Sequence, residues 1–331
     1  MSDTVDARNR MNELTNREWL IETKSFWRSE ADEDLPEWFD PDLLEQFGLF
    51  LSEQHGEERA SEMMGQLLRS AIWSYPPPRD KLKATHPATF SERDIARLIR
   101  FFIYSGQTVL DPFVGSGSTL LACQETDRIG IGIELIERWM DVTTGRLEAA
   151  EVPHRLVSAE EAIDATALGA HALVHGDSRT SLEAMPDECV DLVVTSPPYW
   201  SILQKRGEKV AQEREDRGLP TQYSESDADL GNIEDYDEFL ERLGGVFAEC
   251  GRVLRTKQYM CVVVADFRHG PQFHLYHADI ARLIEDCHED LQLKGLTVLL
   301  QDSKGLYPLA IPYCFVGNIH HQFILIFQKM D

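Results

Sequence analysis

The sequence predicts an α/β protein built on a doubly wound, mostly parallel Rossmann-like sheet, and three observations carry that prediction. From residue 79 onward, apolar runs alternate with stretches of helical period. The runs read as near-continuous Val, Ile and Leu, as expected of strands covered on both faces. Small and acidic residues gather where the runs end, which is where open α/β sheets bind ligands. About seven strands are expected, the last two forming a C-terminal antiparallel hairpin because no helix separates them.

Residues 1–78 read as a small helical element. Thr15 and Glu18 have the spacing of a capping box, followed by Trp19, Leu20, Thr23, Phe26 and Trp27 as one apolar stripe. Asp40 and Pro41 suit an N-cap and first helical position, ahead of Leu43, Leu44 and Phe47. Met63, Met64, Leu67, Leu68 and Ile72 form a third stripe, and Pro76, Pro77 and Pro78 end the element as a stiff linker.

The domain from 79 to 331 opens with a helix near Ser91, which has Asp94 close by and carries Ile95, Leu98, Ile99 and Phe102. The strand TVLDPF leads to a Gly-rich turn and a helix over 118–125; IGIGIE leads to a helix over 136–150. After a looser joining insertion (151–171) come ALVHGD with a short helix, DLVVTSPPY, and a polar segment over 201–232. A helix over 235–254, YMCVVVAD, a helix over 275–289, and the strands LTVLL and HHQFILIF complete the pattern. Long polar segments inside compact domains are usually functional, so 201–232 is expected to be a substrate loop.

Composition sets the limits. With 43% hydrophobic and 27% charged residues in a chain of 331, a packed core is affordable. Fifty-seven acids against 32 bases, nine of them Lys, give a net charge of −25, which excludes a generic polybasic binder and confines any nucleic-acid contact to local patches. Six scattered cysteines without a CxxC pair point to reduced thiols, a cytoplasmic setting and no metal. No apolar run is long enough to span a bilayer, and MSDTVDARNR lacks a signal-peptide core, so no membrane association is expected.

The turn Asp111, Pro112, Phe113, Val114, Gly115, Ser116, Gly117, Ser118 joins a strand to a helix. Glycines there permit close approach of a ligand to the backbone, and the helix N-terminus offers N–H groups to a carboxylate. A side chain at Gly117 is expected to fill ligand space without harming the fold. Glu134 ends the next strand, where an acid accepts from ribose hydroxyls; Asp177 ends the third, where it can accept from an adenine amine. Directly after DLVV stand Thr195, Ser196, Pro197, Pro198, Tyr199 and Trp200. Two prolines fix the direction of nearby carbonyls, and with a hydroxyl and an aromatic face they suit a planar base bearing an amine. A rigid turn with an aromatic packed behind it is the plainer alternative.

Together these residues resemble the S-adenosylmethionine-dependent DNA amino-methyltransferases, which methylate cytosine N4 or adenine N6. DPFVGSGST is similar to the family's cofactor turn, GIEL to its ribose acid, GDS to its adenine-contacting acid, SPPY to its catalytic tetrapeptide, and THPATF to the element closing over the methionine end of the cofactor. The resemblance covers roughly residues 80–331. It implies S-adenosyl-L-methionine as cofactor, held by Thr85, His86, Phe90, Asp111, Phe113, Gly115, Gly117, Ser118, Glu134 and Asp177. It also implies double-stranded DNA with a flipped base as substrate and leaves room for a cognate restriction endonuclease as partner.

Under that resemblance, the Ser196 hydroxyl and the Pro197 carbonyl accept the two amine hydrogens, Pro198 stiffens the turn and Tyr199 stacks on the base. Trp200, Lys205, Arg206, Tyr313 and Phe315 are substrate-binding candidates, with Lys209 and the cluster Arg79, Lys81 and Lys83 as further phosphate contacts. Tetrapeptides beginning with Ser mostly act on cytosine, so cytosine N4 is the expected target. Adenine N6, an RNA base amine and an inactive binding module are the alternatives. Many relatives place the catalytic half first; the order here resembles a circular permutation joined within 151–171, and sequence recognition is left to 201–232, to residues 1–75, or to both.

Overall fold

The computed structural model describes residues 91–201, 228–301 and 316–331 throughout, together with residues 82–83, residue 226 and scattered positions between 5 and 60. Among the described residues nine strands share one sheet: β1 (Phe26–Arg28), β2 (Thr108–Asp111), β3 (Ile129–Glu134), β4 (His154–Leu156), β5 (His171–His175), β6 (Val190–Thr195), β7 (Leu254–Val264), β10 (Leu291–Leu300) and β11 (His321–Lys329). Their order is β1-β10-β11-β7-β6-β2-β3-β5-β4. β8 (Phe267–His269) and β9 (Gln272–His274) form a separate antiparallel hairpin. The helices are α1 (Glu92–Phe102), α2 (Ser118–Glu125), α3 (Glu137–Ala149), α4 (Ala162–Ala167), α5 (Ser178–Glu183), α6 (Tyr236–Val253) and α7 (Tyr276–Cys287).

Strands β7, β6, β2, β3, β5 and β4 run parallel, and β11 runs antiparallel to β7, with Phe323 opposite Val264. The fold class is the predicted one, with nine strands in place of seven. The two extra strands are three residues each and lie at the sheet edges. β10 and β11, the strands expected to form the C-terminal hairpin, are neighbours in the sheet, β11 lying between β10 and β7, and the Gln301 amide donates to the His320 carbonyl at 2.8 Å where β10 ends and β11 begins.

Two expectations need correction. Phe26 and Trp27 belong to a strand, not to the helical stripe begun at Trp19: helical bonds stop at Thr23, and the Ser25 carbonyl then accepts from the Val298 amide at 2.9 Å. Pairing with a sheet edge outweighs local periodicity there. The stretch 151–171 is no loose insertion but holds β4, paired parallel with β5, and α4. Elsewhere the caps follow the sequence. Thr15 and Glu18 exchange capping-box bonds, with the Thr15 amide donating to Glu18 Oε2 at 2.8 Å and the Glu18 amide to Thr15 Oγ1 at 3.3 Å. Ser91 caps α1 by accepting from the Asp94 amide.

The chain divides into two compact units. The first comprises residues 1–27, 79–298 and 322–331, and contains the core, in which Leu110, Ile131, Val193, Phe239, Phe247, Val262 and Leu325 are fully buried. The second comprises residues 28–78 and 299–321; within it Leu51 and Ala60 are buried in a helical stretch. The apolar stripes at 43–47 and 63–72 lie outside the described residues. Among the described residues no helix is long and apolar enough to cross a membrane.

Candidate active site

The chemistry-bearing residues converge because β2, β3, β5 and β6 are parallel and end on the same edge of the sheet. Asp111 closes β2 and is fully buried. Its Oδ2 accepts from Thr119 Oγ1 at 2.5 Å in α2, and its Oδ1 accepts from Thr195 Oγ1 at 2.6 Å at the end of β6 and from the Phe113 amide at 3.1 Å. Burial pushes its carboxyl up to about 6, against the pull of these three donors. Asp111, expected at the cofactor, ties α2 and the glycine turn to the end of β6, the strand that precedes Ser196.

The turn itself is built by backbone conformation. Gly115 and Gly117 take φ values of +55° and +79°, a region side chains avoid. A Cβ on Gly117 would lie 2.8 Å from Thr143 Cγ2 in α3. The expectation that a larger residue at Gly117 would obstruct only a ligand is therefore corrected: it would strike the protein first. The Gly115 amide donates to Glu134 Oε2 at 3.0 Å, and the Gly115 carbonyl accepts from Thr143 Oγ1 at 2.7 Å.

Glu134 ends β3 and is buried, with Oε1 accepting from the Ile136 amide at 2.9 Å. Desolvation pushes its carboxyl up to about 7, and the charges of Asp111 and Asp229 push in the same direction. Asp229 is itself buried at the head of the 3-10 turn Leu230–Asn232 and accepts from the Gly231 amide at 2.9 Å. The end of the segment 201–232 thus acts on Glu134 through its charge. Asp177 caps α5, accepting from the Arg179 amide at 2.9 Å, and remains partly exposed.

An ion-pair network behind the turn escaped the sequence analysis. Glu92 Oε1 accepts from Lys83 Nζ at 2.7 Å, Arg146 Nη2 at 2.5 Å and Ser118 Oγ at 3.0 Å, and the two cations hold its carboxyl below the usual range although burial alone would raise it. Arg146 also donates to the Ser116 carbonyl. Lys83, expected at DNA phosphate, is instead buried in this network.

At the end of β6 the tetrapeptide turns away from the ladder. Pro197 is buried, while Ser196, Pro198 and Tyr199 are partly exposed. The Pro198 carbonyl accepts from Tyr276 Oη at 2.7 Å. Tyr276, at the start of α7, is fully buried, and its ring lies 5.5 Å from that of Tyr199. The Tyr199 hydroxyl points inward, its pKa raised by burial, with Ser196 and Gln322 among the groups acting on it. Trp200, expected to face the substrate, is only 8% exposed: its indole N–H donates to the Ile233 carbonyl at 2.9 Å and its ring packs on His269 at 4.3 Å. Asp266, just past the end of β7, accepts from His277 Nδ1 at 2.7 Å and from the His277 amide at 3.2 Å.

Thr85, His86, Phe90, Lys205, Arg206, Tyr313 and Phe315 lie outside the described residues. Among the described residues no group of three His, Cys, Asp or Glu could hold a metal ion. Cys123, Cys189, Cys250 and Cys261 are buried free thiols, their pKa values raised chiefly by burial.

The model of the N6/N4-type DNA methylase family matches residues 13–144 and 190–329. The gap between the two matched segments contains β4, α4, β5 and α5, with Asp177. The Type II methyltransferase M.ScaI of Streptomyces caespitosus is 38% identical over 84 residues, covering 24% of this chain and 28% of that protein. M.MjaI of Methanocaldococcus jannaschii is 48% identical over 59 residues, covering 16% and 20%. The matched stretches therefore span less than a third of these relatives. A Thermus thermophilus protein described as a DNA modification methylase, solved with S-adenosyl-L-methionine, is 26% identical over 47% of this chain and 54% of its own, with a TM-score of 0.33.

Proposed function

The chain belongs to the N6/N4-type DNA methylase family, and from that premise we propose that it transfers a methyl group from S-adenosyl-L-methionine to the exocyclic N4 amine of cytosine in DNA. The observation that carries the reading is the pair of bonds on Asp111. They hold the end of β6, and so the start of SPPY, against the glycine turn that would take the cofactor.

The residues present fit the cofactor. Glu134 places a carboxylate at the end of β3 for ribose hydroxyls, the turn with its two left-handed glycines follows β2 on the same sheet edge, and partly exposed Asp177 is an acceptor for the adenine amine. When bound, S-adenosyl-L-methionine supplies an electrophilic sulfonium methyl. The chain's own task is to make a poor nucleophile attack. A base amine has its lone pair delocalised into the ring; Ser196 Oγ and the Pro197 carbonyl each accept one amine hydrogen, biasing the nitrogen toward a tetrahedral form whose lone pair is out of conjugation with the ring and aimed at the methyl. Tyr276 serves this arrangement indirectly by holding the next carbonyl, that of Pro198. Tyr199 stacks on the base, which must leave the duplex to reach this edge. The serine at the head of the tetrapeptide supports cytosine over adenine.

The test is to incubate the protein with unmethylated DNA and methyl-labelled cofactor, digest to nucleosides and identify the product by mass. N4-methylcytosine is expected; N6-methyladenine would overturn the choice of base, and label confined to added RNA would overturn DNA as substrate.

A further inference from the structure

The hairpin β8–β9 follows directly from β7, the neighbour of the strand that leads into SPPY, since Thr195 of β6 pairs with Val262 of β7. Its residues alternate between two faces. Phe267 and His274 sit opposite each other, ring on ring at 5.1 Å, and face inward: Phe267 reaches Tyr199 at 6.4 Å and His274 reaches Trp200 at 5.6 Å. The adjoining cross-strand pair, Arg268 and Phe273, faces the other way. The Arg268 guanidinium lies 4.9 Å from the Phe273 ring centre, and Phe273 is 43% exposed. A hairpin whose inner face packs beside SPPY thus displays a cation and an aromatic ring on its outer face.

We propose that this outer pair is a DNA-contacting element, Arg268 meeting backbone phosphate and Phe273 packing on sugar or base beside the flipped nucleotide. The proposal rests on the methyltransferase reading and adds a substrate contact to it. The argument is one of charge and place. At a net charge of −25 the molecule repels DNA as a whole, so contact requires cations held locally at the reaction edge. Stacking on an aromatic face orders an arginine stem, and the planar guanidinium fork matches the oxygens of a phosphate. At the tip, Gly270 has φ +58° and is exposed.

The experiment compares the full chain with Arg268→Ala, Arg268→Lys and Phe273→Ala, measuring methyl transfer to unmethylated plasmid DNA across a salt series and cofactor affinity by calorimetry. Arg268→Ala should lower kcat/KM for DNA about tenfold and flatten its dependence on log salt by about one. Phe273→Ala should lower it at all salts, Arg268→Lys should recover the salt slope, and cofactor affinity should stay unchanged in all three. Wild-type kinetics on DNA in both alanine variants would overturn the contact while leaving the methyltransferase reading intact. A wild-type protein that labels no DNA would overturn that reading and the contact with it.

Discussion

Thr195 Oγ1 donates to Asp111 Oδ1 at 2.6 Å, between residues 84 apart in sequence and both fully buried. This bond ties together the two halves of the proposed chemistry, since Ser196 follows one partner and the glycine turn follows the other. Thr195→Val keeps the shape and removes the donor, leaving the buried Oδ1 with the Phe113 amide alone. It should cost about 1–3 kcal/mol in denaturant unfolding and lower methyl transfer more than cofactor affinity. Unchanged stability and turnover would mean that the bond is incidental.

Glu134 and Asp111 also give the protein a pH dependence with a definite sign. Both carboxyls sit above their ordinary values, at about 7 and about 6, mainly through burial. The folded state then holds protons that the unfolded chain releases, so these groups favour folding most at low pH, and that contribution is lost as pH rises through about 4 to 7. Thermal melts of the ligand-free protein should show this loss, and Glu134→Gln should remove its upper part. Binding has the opposite slope. Ribose hydroxyls donate, so the ionised form of Glu134 is the competent one, and cofactor affinity should fall roughly tenfold from pH 8 to pH 6. A flat binding profile would count against Glu134 as the ribose acceptor.

Gly117→Ala should destabilise the fold as well as weaken cofactor binding. The new Cβ meets Thr143 at 2.8 Å and sits on a backbone at φ +79°. Shortening the obstacle tests the cause: Gly117→Ala in a Thr143→Ala background should regain part of the lost stability. Because Thr143→Ala by itself also removes the bond to the Gly115 carbonyl, the reference is the Thr143→Ala protein, and an equal cost of Gly117→Ala in both backgrounds would place the damage in the backbone conformation alone.

The strands and helices from 91 onward were legible because a parallel sheet writes its buried strands as unbroken apolar runs, and the acids at the ends of β2, β3 and β5 could be placed by counting. What escaped was short or depended on distant partners. The unit β4–α4 carried readable signals, the Ser158 and Glu161 spacing ahead of the helix, where the Glu161 carboxylate accepts from the Ser158 amide and hydroxyl, and Gly169 at φ +78° after it, but its strand of three residues has no periodicity to detect. The β8–β9 hairpin was signalled by Gly270 and Pro271 between alternating residues. Tyr276 and Arg146 had no local signal: each acts on a backbone carbonyl far away in sequence, Pro198 and Ser116. The burial of Trp200 was equally hidden, since its anchor is the carbonyl of Ile233.

Tyr276→Phe isolates one of these long-range contacts. The ring stays packed against Tyr199 while the bond to the Pro198 carbonyl is lost, a change of about 1 kcal/mol in stability. If the bond positions the tetrapeptide, kcat should fall severalfold while KM for DNA and for cofactor stays put. Tyr276→Leu, which also removes the aromatic contact, should raise KM for DNA in addition. Equal loss in kcat and affinity from Tyr276→Phe would point to general loosening rather than positioning.

Ser196→Ala is the direct test of the chemistry. A serine hydroxyl accepts a hydrogen bond but does not retain a proton at neutral pH, so its contribution is to orient the amine rather than to act as a base. Removing one preorganised polar contact of this kind costs on the order of 10² in turnover. The Ser196 hydroxyl is not among the groups proposed to hold the cofactor, so calorimetry should find cofactor affinity little changed. Ser196→Asp supplies a stronger acceptor at the same place; if acceptor strength and geometry govern the choice of base, it should recover activity and move label from cytosine toward adenine, read as the ratio of N4-methylcytosine to N6-methyladenine in digested DNA. A fully active Ser196→Ala variant would remove this mechanism whichever base carries the label. An inactive one that has also lost the cofactor would show that the site had collapsed, which Thr195, lashed to Asp111 one residue earlier, should prevent.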